Sequence, residues 1–597
     1  MAGLLFFLGT SFHTAWTRPA TDFPNYYTAA VATRQRKPLH KYYDWSWFAR
    51  EMNYAGVERQ IGAYTPQTPL TMLPMIPLAS LTPMGAKRVW LSADLILLAA
   101  TVMILASRTG IRWEFLAILL FCGYGSLRAN AIDGQYYMFL VFLLAAAFYM
   151  LDRGYLAGSG LASGLAFGLK LYGGPLLLYF AAKRRWKAAA GMLLASAALA
   201  LLALALFGWS DITYYLNRVL PRTLEGGSID PYNPGVPSLS TLLRRLFVRE
   251  PELNPSPAID APWLFFLART VLQLGLVVFT VLGVAFRNSP GYKKDFAWFV
   301  IVLVLLSTST ASYTFILLLA PVALLLEGAS LWKSAYFAGS YVLLNINIGI
   351  PWLFPKLWLL LLLFVVVGIE HWRSIPWRWA ACAAAGVLAL SAADAWFHMR
   401  DYRQEPGHRY PQIAVERGAL FSGSPAISQT GLFFQGMGDG RRGEDWYVLR
   451  WLHDGRIERL GFGGLVLHPV AVAPQGPILF ELVANRTSKT MRFDTLTRTV
   501  VSIPARLEDM AGSEVHSPDG RWVAYTRETP ASQQIWVEDV ATGRRELLAG
   551  GACNNSSATW ELDSSAIVFA SDCGRAYGLP ALYRAPMAPR ASGPAAP

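Results

Sequence analysis

Long apolar runs constrain what this chain can fold into more than any other feature. An α-helix needs about 20 mainly apolar residues to cross the hydrocarbon core of a membrane. We count about thirteen runs that reach or approach this length. They lie at about residues 3–17, 87–107, 113–129, 135–151, 156–171, 173–183, 188–207, 263–286, 295–310, 312–326, 333–350, 354–371 and 377–396. The sequence therefore predicts a polytopic α-helical membrane protein with about 13 transmembrane helices.

The composition supports the membrane class. Of the 597 residues, 54% are hydrophobic and 15% are charged, which is too apolar for an ordinary soluble protein of this length. The formal net charge is +13, but Lys and Arg are scattered between the apolar runs rather than gathered on one face. We therefore expect the membrane as a partner and no nucleic acid.

The short basic loops predict the orientation. If the count of helices is right, they all fall on one side, which the positive-inside rule makes cytoplasmic. These loops contain Arg108, Arg112, Arg153, Lys183, Arg184, Arg185, Lys187, Arg287, Lys293, Lys294, Lys333, Arg373 and Arg378. The long loops 18–86 and 208–262, and the chain after about residue 397, then lie outside the cytoplasm. We expect a multi-pass protein of a bacterial-type inner or plasma membrane with a periplasmic C-terminal domain and, in the absence of a charged n-region, no cleavable signal peptide.

The composition changes near Arg400, which suggests two domains, residues 1–397 and 398–597. After this point turn signals recur about every 44 residues, and each precedes a β-rich run. The signals are Thr430-Gly431, Gln475-Gly476, Asp519-Gly520 and Asp563-Ser564. Four units of this length predict an all-β, propeller-like domain of about four repeats, with a generic β-sandwich as the alternative. The segment from His516 to Tyr525 resembles the repeat of TolB-type and WD40-like propellers, which implies fold rather than function.

The four cysteines divide between the two parts. Cys122 and Cys382 fall inside apolar runs, where they behave as small hydrophobic residues. Cys553 and Cys573 lie in the polar C-terminal part, and their spacing suits one disulfide if that part is outside the cytoplasm.

A polar, aromatic-rich segment, Thr21-Asp22-Phe23-Pro24-Asn25-Tyr26-Tyr27, follows the first apolar run. It places a carboxylate where a membrane helix meets water, which is a site hypothesis by default. The alternative is an N-cap for a short helix that begins near Pro24, since Asp is a good capping residue.

Other polar residues at predicted outer helix ends face the same compartment as Asp22. They are Asp44, Arg128, Asn130, Asp133, Gln135, Lys170, Tyr172, Arg218, Arg222, Ser307 to Thr310 and Tyr313. A general base beside cations suits the transfer of a group from a phosphate-bearing donor, because the cations hold the anionic leaving group.

In this region the sequence resembles the GT-C-fold glycosyltransferases of family 87. Asp22 to Ala30 resembles the Asp-Phe/Tyr-x-x-Tyr-Tyr-x-Ala-Ala signature of that family, and Tyr64 to Pro69 resembles its Tyr-x-Tyr-Pro-Pro-rich segment. Asp133-Gly134-Gln135 resembles its Asn-Gly-Gln, and Gly160 to Pro175 resembles a small-residue helix that ends in Lys and Pro. The resemblance covers about residues 20–330 in the correct order.

The resemblance implies transfer of mannose, or a related hexose or pentose, from a polyprenyl-phosphate donor to a lipid or glycan acceptor outside the cytoplasm. It implies Asp22 as the base in an inverting displacement, and Lys170, Arg128, Arg218 and Arg222 as ligands of the donor phosphate. The alternatives are a snorkelling Lys170 and solvated loop charges at Arg218 and Arg222.

Further residues are assigned to substrate binding on the same basis: Tyr26, Tyr27, Asp44, Gln135 and Tyr313. The alternatives are a helix-end hydrogen bonder for Gln135 and a solvated loop residue for Asp44. We expect no cofactor, and the sequence does not decide whether a divalent metal is needed. The propeller-like domain could bind a protein or a glycan.

Two departures and two competing functions remain. The later outer loop reads Ser309-Thr310-Ala311-Ser312-Tyr313-Thr314, without the Trp-x-His-His-like segment of the relatives, and the β-rich tail is not a core part of the family.

One competing function is a transporter or flippase of lipid-linked saccharides, but the mid-membrane ionisable residues and repeated spans that are typical of transporters are not evident. The other is a sensor, which lacks a cytoplasmic output domain.

Overall fold

The fold has a helical part followed by a β-rich part. The computed structural model describes residues 2–18, 22–57, 62–226, 230–287, 292–437, 447–471, 476–504, 507 and 514–587. Thr21 of the acidic segment and Gln475 of the second turn signal lie outside the described residues.

The helical part runs to residue 402 and is built from α-helices joined by short 3₁₀ and π turns. The helices are α1 Ala2–Phe7, α2 His13–Thr17, α3 Phe23–Arg34, α4 Trp45–Tyr54, α5 Pro83–Thr109, α6 Trp113–Cys122, α7 Tyr124–Asp133, α8 Tyr137–Asp152, α9 Leu156–Lys170, α10 Leu176–Ala182, α11 Trp186–Tyr214, α12 Leu220–Leu224, α13 Leu239–Phe247, α14 Pro262–Phe286, α15 Tyr292–Leu306, α16 Leu319–Leu326, α17 Leu331–Asn345, α18 Pro355–Trp372 and α19 Trp377–Tyr402.

Among the described residues, five helical segments are long and apolar enough to cross a membrane. They are Pro83–Thr109, Trp186–Leu224, Pro262–Phe286, Pro351–Trp372 and Trp377–Tyr402. Helices α6 and α7 add a sixth if the pair counts as one span bent by 74°. The prediction of about 13 spans is not confirmed, because several apolar runs form helices of only 7 to 16 residues. At about 1.5 Å per residue such helices are too short to cross the hydrocarbon core.

The β-rich part consists of four antiparallel sheets of four strands each among the described residues, with strand orders β2-β3-β4-β5, β6-β7-β8-β9, β10-β11-β12-β13 and β1-β16-β15-β14. The strands are β1 Gln412–Ile413, β2 Ser422–Ser428, β3 Gly431–Met437, β4 Tyr447–His453, β5 Arg456–Leu460, β6 Leu465–Ala471, β7 Ile478–Ala484, β8 Thr487–Phe493, β9 Val500–Ile503, β10 Glu514–His516, β11 Trp522–Glu528, β12 Gln533–Asp539, β13 Arg545–Ala549, β14 Asn555–Trp560, β15 Ala566–Ser571 and β16 Ala581–Pro586. The last sheet joins the first strand of the part to its last three strands.

The repeated turn signals lie at equivalent positions in the sheets. Thr430-Gly431 lies where β2 turns into β3, Asp519-Gly520 lies between β10 and β11, and Asp563-Ser564 lies between β14 and β15. In the third sheet the amide of Trp522 donates to Ser517 Oγ, and Ser517 Oγ donates to Asp519. Gly520 closes this turn at φ 71°, a conformation that favours glycine. The sequence period therefore corresponds to one sheet per unit.

The two parts are packed against each other through the first long loop. Helix α4 contacts β6 and β7, and Trp45 and Ala49 on it join a buried apolar cluster with Phe421 and Leu467 of the β-rich part. The indole of Trp45 donates to the carbonyl of Tyr577 at 2.9 Å. The β-rich part is therefore attached to the same face of the helical part that carries the predicted site.

Candidate active site

A cavity of about 980 Å³ opens where the helical part meets the β-rich part. Its walls come from the start of α3, the segment after residue 62, the α7–α8 junction, the end of α9 and residues 303–313. Four of the predicted site residues line it: Asp22, Gln135, Lys170 and Tyr313. The sequence pattern therefore identifies groups that are distant in the chain and close in space.

Asp22 occupies the N-cap position of α3 without acting as a side-chain cap. Its backbone carbonyl accepts from the amide of Asn25 at 3.0 Å, and Pro24 stands in the first turn. The carboxylate makes no capping hydrogen bond. Instead, Asp22 Oδ2 accepts a 2.6 Å hydrogen bond from Gln135 Nε2. The alternative of a side-chain cap is therefore wrong, because the backbone of Asp22 starts the helix while its side chain faces the cavity.

A chain of hydrogen bonds connects the carboxylate to a cation. Lys170 Nζ donates to the hydroxyl of Tyr26 at 2.8 Å, and that hydroxyl donates to Gln135 Oε1 at 2.8 Å. The amide nitrogen of Gln135 then donates to Asp22. Lys170 Nζ also lies 5.2 Å from the centre of the Tyr26 ring and 5.3 Å from that of Tyr137. Gln135 and Tyr26 therefore fix the positions of both charged groups.

The local backbone explains why Gln135 reaches Asp22. Helix α7 ends at Asp133, and Gly134 follows at φ 64°. A Cβ at Gly134 would lie 2.7 Å from the Cβ of Phe23, so a larger residue would push α3 away from the α7–α8 junction. The glycine of the predicted Asp-Gly-Gln motif therefore permits a left-handed turn and a close approach together.

The environment of Asp22 has opposing electrostatic effects. Burial raises the pKa of the Asp22 carboxyl above its usual value. The hydrogen bond from Gln135 and the positive charge of Lys170 lower that pKa and offset part of the effect. The result is a carboxylate that is more basic than an exposed aspartate, which is what a general base needs.

The wall beside Lys170 is aromatic and hydroxyl-rich. The rings of Tyr137 and Tyr313 have centres 5.1 Å apart, and Tyr172 donates from its hydroxyl to Ser307 Oγ at 2.8 Å. Thr308 Oγ1 donates to the carbonyl of Thr223. Such a surface suits a sugar, because aromatic faces pack on its C–H groups while hydroxyls and amides bond its oxygens.

The β-rich part contributes to the same cavity. Gly418 and Leu420, which precede β2, are among the lining residues. The amide of Gly418 donates to the carbonyl of Glu252 at 2.8 Å, which ties this segment to the second long loop. Nothing in the sequence of these residues marks them as cavity-lining, since their position depends on how the two parts dock.

Two of the predicted substrate-binding residues have structural contacts away from the cavity. Tyr27 donates from its hydroxyl to the carbonyl of Leu81 at 2.7 Å. Asp44 is the N-cap of α4, and its Oδ1 accepts from the amide of Trp47 at 3.1 Å. The solvated-loop alternative for Asp44 is replaced by a capping role.

Two of the predicted phosphate ligands lie at the interface with the β-rich part. Arg218 is buried, forms an ion pair with Glu528 and donates to the carbonyl of Thr529. Arg222 forms an ion pair with Asp572 at 3.3 Å and donates to backbone carbonyls of the same loop. Their guanidinium groups join the two parts, so the alternative of a solvated charge is wrong, while the phosphate assignment stays a prediction.

Arg128, the remaining predicted phosphate ligand, lines a different cavity. This second cavity is about 650 Å³ in volume and adjoins the first at Ala311, which lines both. Arg128 is exposed there on α7. Of the predicted cations, Lys170 is therefore the one that the structure brings beside Asp22.

Cys553 and Cys573 are joined by a disulfide, as their spacing predicts. Among the described residues, the one group with metal-ligand spacing consists of these two sulfurs and Glu405. Because the sulfurs are bonded to each other, they are not available as thiolate ligands. The disulfide instead joins the segment before β14 to the loop that follows β15.

A comparison with models of protein families finds a match over part of the chain. Residues 64–309 match the model of Glycosyltransferase family 87, a segment that includes Gln135, Lys170 and Ser307 and begins after Asp22. A comparison with curated proteins finds no match. Among solved structures, TolB from Acinetobacter baumannii is similar at 13% identity over 29% of this chain and 45% of that one, with a TM-score of 0.14.

This TM-score is too low to support any conclusion about the β-rich part, and the chain covers less than half of that TolB. The family match and the apolar helices are the informative findings. The match over residues 64–309 and the apolar helices together support a membrane glycosyltransferase.

Proposed function

We propose that the protein transfers a sugar, mannose or a related hexose or pentose, from a polyprenyl-phosphate donor to a lipid or glycan acceptor outside the cytoplasm. The observation that carries the proposal is the pairing of Asp22 with Lys170 in one cavity through Gln135 and Tyr26. A base and a cation at fixed separation are the two groups that a transfer from a phosphate-linked sugar requires.

In the proposed step Asp22 removes the proton of the acceptor hydroxyl. The acceptor oxygen forms a bond to the anomeric carbon as the bond from that carbon to the phosphate oxygen breaks. The electron pair of the broken bond leaves with the lipid phosphate, and the proton remains on Asp22. Attack opposite to the leaving group inverts the configuration at the anomeric carbon.

Both charged groups have hydrogen-bonding capacity for substrate. Asp22 accepts from Gln135 at Oδ2, and Oδ1 has no hydrogen-bond partner among the described residues. Lys170 has three N–H donors and makes contacts to Tyr26 and Gln135, neither of which is a carboxylate. A lipid phosphate oxygen would take the third donor and neutralise the ammonium charge.

We extend the proposal to the architecture. The helical part, residues 1–397, is a GT-C-type domain, and residues 398–597 form a four-bladed propeller on its extracytoplasmic face. Four successive antiparallel sheets, with the last sheet completed by the first strand, support the propeller. The disulfide supports an oxidising compartment such as the periplasm of a bacterial inner membrane protein.

The test of function is a turnover assay on the purified full chain. Polyprenyl-phosphate-linked mannose is incubated with the protein and a panel of lipid and glycan acceptors, and released polyprenyl phosphate is measured. We expect release in the wild type and a loss of at least about a hundredfold in Asp22→Asn. Asp44→Asn is the matched control, because the same change at a helix cap keeps a good capping residue.

Each outcome distinguishes the alternatives. Turnover by Asp22→Asn at the wild-type rate would show that Asp22 is not the base. Movement of the intact donor across the membrane of a proteoliposome, without release of polyprenyl phosphate, would favour the carrier instead.

The proposed orientation is tested separately by single cysteines in a background without Cys122 and Cys382. Leu496 on the β-rich part and Trp332 in the first turn of α17 are 81% and 85% exposed. In intact cells a membrane-impermeant thiol reagent should label Leu496→Cys and spare Trp332→Cys. The reverse pattern would place the β-rich part in the cytoplasm.

A further inference from the structure

The second cavity combines two positive charges with an amphiphilic wall. Arg128 on α7 and Lys356 at the start of α18 both line its volume of about 650 Å³. No Asp or Glu is among its lining residues, all of which belong to the described part of the chain. Apolar side chains such as Phe315, Ile348 and Phe354 complete the wall.

Several other cations of the helical part are paired with carboxylates. Lys183 and Arg287 pair with the buried Asp295, and Arg108 pairs with Asp152. Arg128 and Lys356 have no carboxylate partner among the described residues, and Lys356 lies 5.4 Å from the centre of the Phe315 ring. Two unpaired cations that share a concavity attract an anion, because nothing else compensates their charge.

The wall that carries Arg128 is fixed by close packing at the bend between α6 and α7. A Cβ at Gly125 would lie 2.1 Å from the carbonyl oxygen of Asn345, so only glycine allows α17 to approach. The amide of Ser126 donates to Asn345 Oδ1, and Ser126 Oγ donates to the carbonyl of Ser312. In membrane proteins a broken helix is tolerated where it lines a cavity, which is its position here.

The cavity lies at the boundary of the membrane. The apolar span Pro351–Trp372 begins in its wall, and the loop before that span exposes large apolar side chains. Ile346, Ile350, Trp352 and Leu353 are all exposed. Aromatic and apolar side chains at the end of a span are typical of the headgroup level.

We propose that Arg128 and Lys356 form a binding site for the phosphate headgroup of a membrane lipid, distinct from the site of the donor's leaving phosphate. The leaving phosphate must be bonded to the anomeric carbon beside Asp22. Arg128 lies five residues before Asp133 on α7, about 7.5 Å along the helix axis, and faces the other cavity. The site does not depend on the role of Asp22.

Two free thiols provide the test. Cys122 lines the cavity, whereas Cys382 lies on α19, outside its lining, and both are exposed. The full chain in detergent is labelled with a maleimide in the presence of dioctanoyl phosphatidylglycerol, dioctanoylglycerol or inorganic phosphate. We expect phosphatidylglycerol to slow the labelling of Cys122 and to leave that of Cys382 unchanged.

Variants identify the groups that bind the headgroup. Arg128→Gln and Lys356→Gln should each raise the lipid concentration for half-protection by about tenfold or more, since a hydrogen bond to a charged group contributes about 1.5–3 kcal/mol. Lys333→Gln, which removes an exposed cation elsewhere, is the matched control. Arg128→Lys should retain part of the protection.

Three results would overturn the proposal. Equal protection by dioctanoylglycerol would mean an apolar pocket without an anion site. Equal protection by inorganic phosphate would mean a site for a soluble anion rather than a lipid. Unchanged protection in both Gln variants would mean that neither cation contacts the headgroup. The labelling rate of Cys382 is the folding control, because it should be the same in these variants as in the wild type.

Discussion

Charged side chains are buried at several places in this protein, and two of these places use them differently. At the interface between the two parts, Arg575 is fully buried and pairs with Glu250 at 2.7 Å and Glu252 at 2.8 Å. Its other nitrogens donate to the carbonyls of Ala419 and Leu579. In the cavity, Lys170 and Asp22 are linked only through neutral groups and retain capacity for further hydrogen bonds.

This difference separates structural charges from chemical ones. A guanidinium whose donors are all satisfied by protein can hold two surfaces together but cannot receive a substrate. A carboxylate and an ammonium kept apart by Gln135 and Tyr26 remain available to both reactants. In the sequence, Arg222 and Lys170 are both predicted as cations that bind the donor phosphate. In the structure, Arg222 bonds to a carboxylate and to carbonyls of the protein, as Arg575 does.

The strongest test of the interface is Arg575→Met. Removing one partner of a buried ion pair leaves Glu250 and Glu252 uncompensated, which costs about 3–5 kcal/mol. We expect a large fall in the Tm of the full chain, measured by thermal unfolding in detergent. Arg545→Met is the control, because Arg545 pairs with Glu538 on the exposed surface and its loss should change Tm little. Equal Tm values for both variants would show that Arg575 contributes no more to stability than an exposed ion pair does.

The corresponding test of the cavity is Lys170→Gln. Loss of the cation that faces the leaving group should lower kcat by about a hundred- to a thousandfold, the usual effect of removing one group that stabilises developing charge. Tm should change less than in Arg575→Met. Arg218→Gln is the matched control, because the same loss of charge occurs at the interface. A larger loss of kcat in Arg218→Gln would place the phosphate at the interface.

The pH dependence of turnover provides a third test of the cavity. A general base works only when it is deprotonated, so activity is present above the pKa of Asp22 and is lost as pH falls through it. Burial raises this pKa, so the acid limb of kcat/KM should lie above the value of about 3.9 for an exposed Asp. Lys170→Gln should move the limb to higher pH, because it removes a charge that lowers the pKa of Asp22. A limb that stays in place, or moves to lower pH, would show that another group titrates. Arg545→Gln should leave the limb unchanged.

The sequence predicts those residues of the cavity that lie at helix ends and carry polar side chains. The Asp22 segment, the Asp133-Gly134-Gln135 turn and the helix that ends in Lys170 each carry a polar group at a helix end, and such ends meet on one face of a membrane bundle. The β-sheets are also predictable, because each repeat carries its own turn signal and strands.

What the sequence does not predict depends on tertiary contacts. The count of about 13 spans is not confirmed, because some apolar runs form short helices while five or six of the described helical segments are long and apolar enough to cross a membrane. Arg218 and Arg222 look like free loop cations until the β-rich part is docked against them. Leu420 has no polar or periodic signal at all, and only the packing of two separate parts places it in the cavity.

We expect the smallest and most specific effect on activity from a substitution of Leu420. If the β-rich part forms a wall of the active site, Leu420→Ala should widen that wall and alter the KM for acceptors, with kcat for the best acceptor nearly unchanged. One apolar contact of this kind is worth about 1–3 kcal/mol, so we expect about a tenfold change in the preference between a small and a bulky acceptor. Leu496→Ala is the matched control, since Leu496 is an exposed leucine of the same part. An unchanged acceptor preference in Leu420→Ala would show that the β-rich part has no role in acceptor selection. The contacts of the β-rich part with Glu250 and Glu252 would remain, so its role would be to hold the second long loop in place.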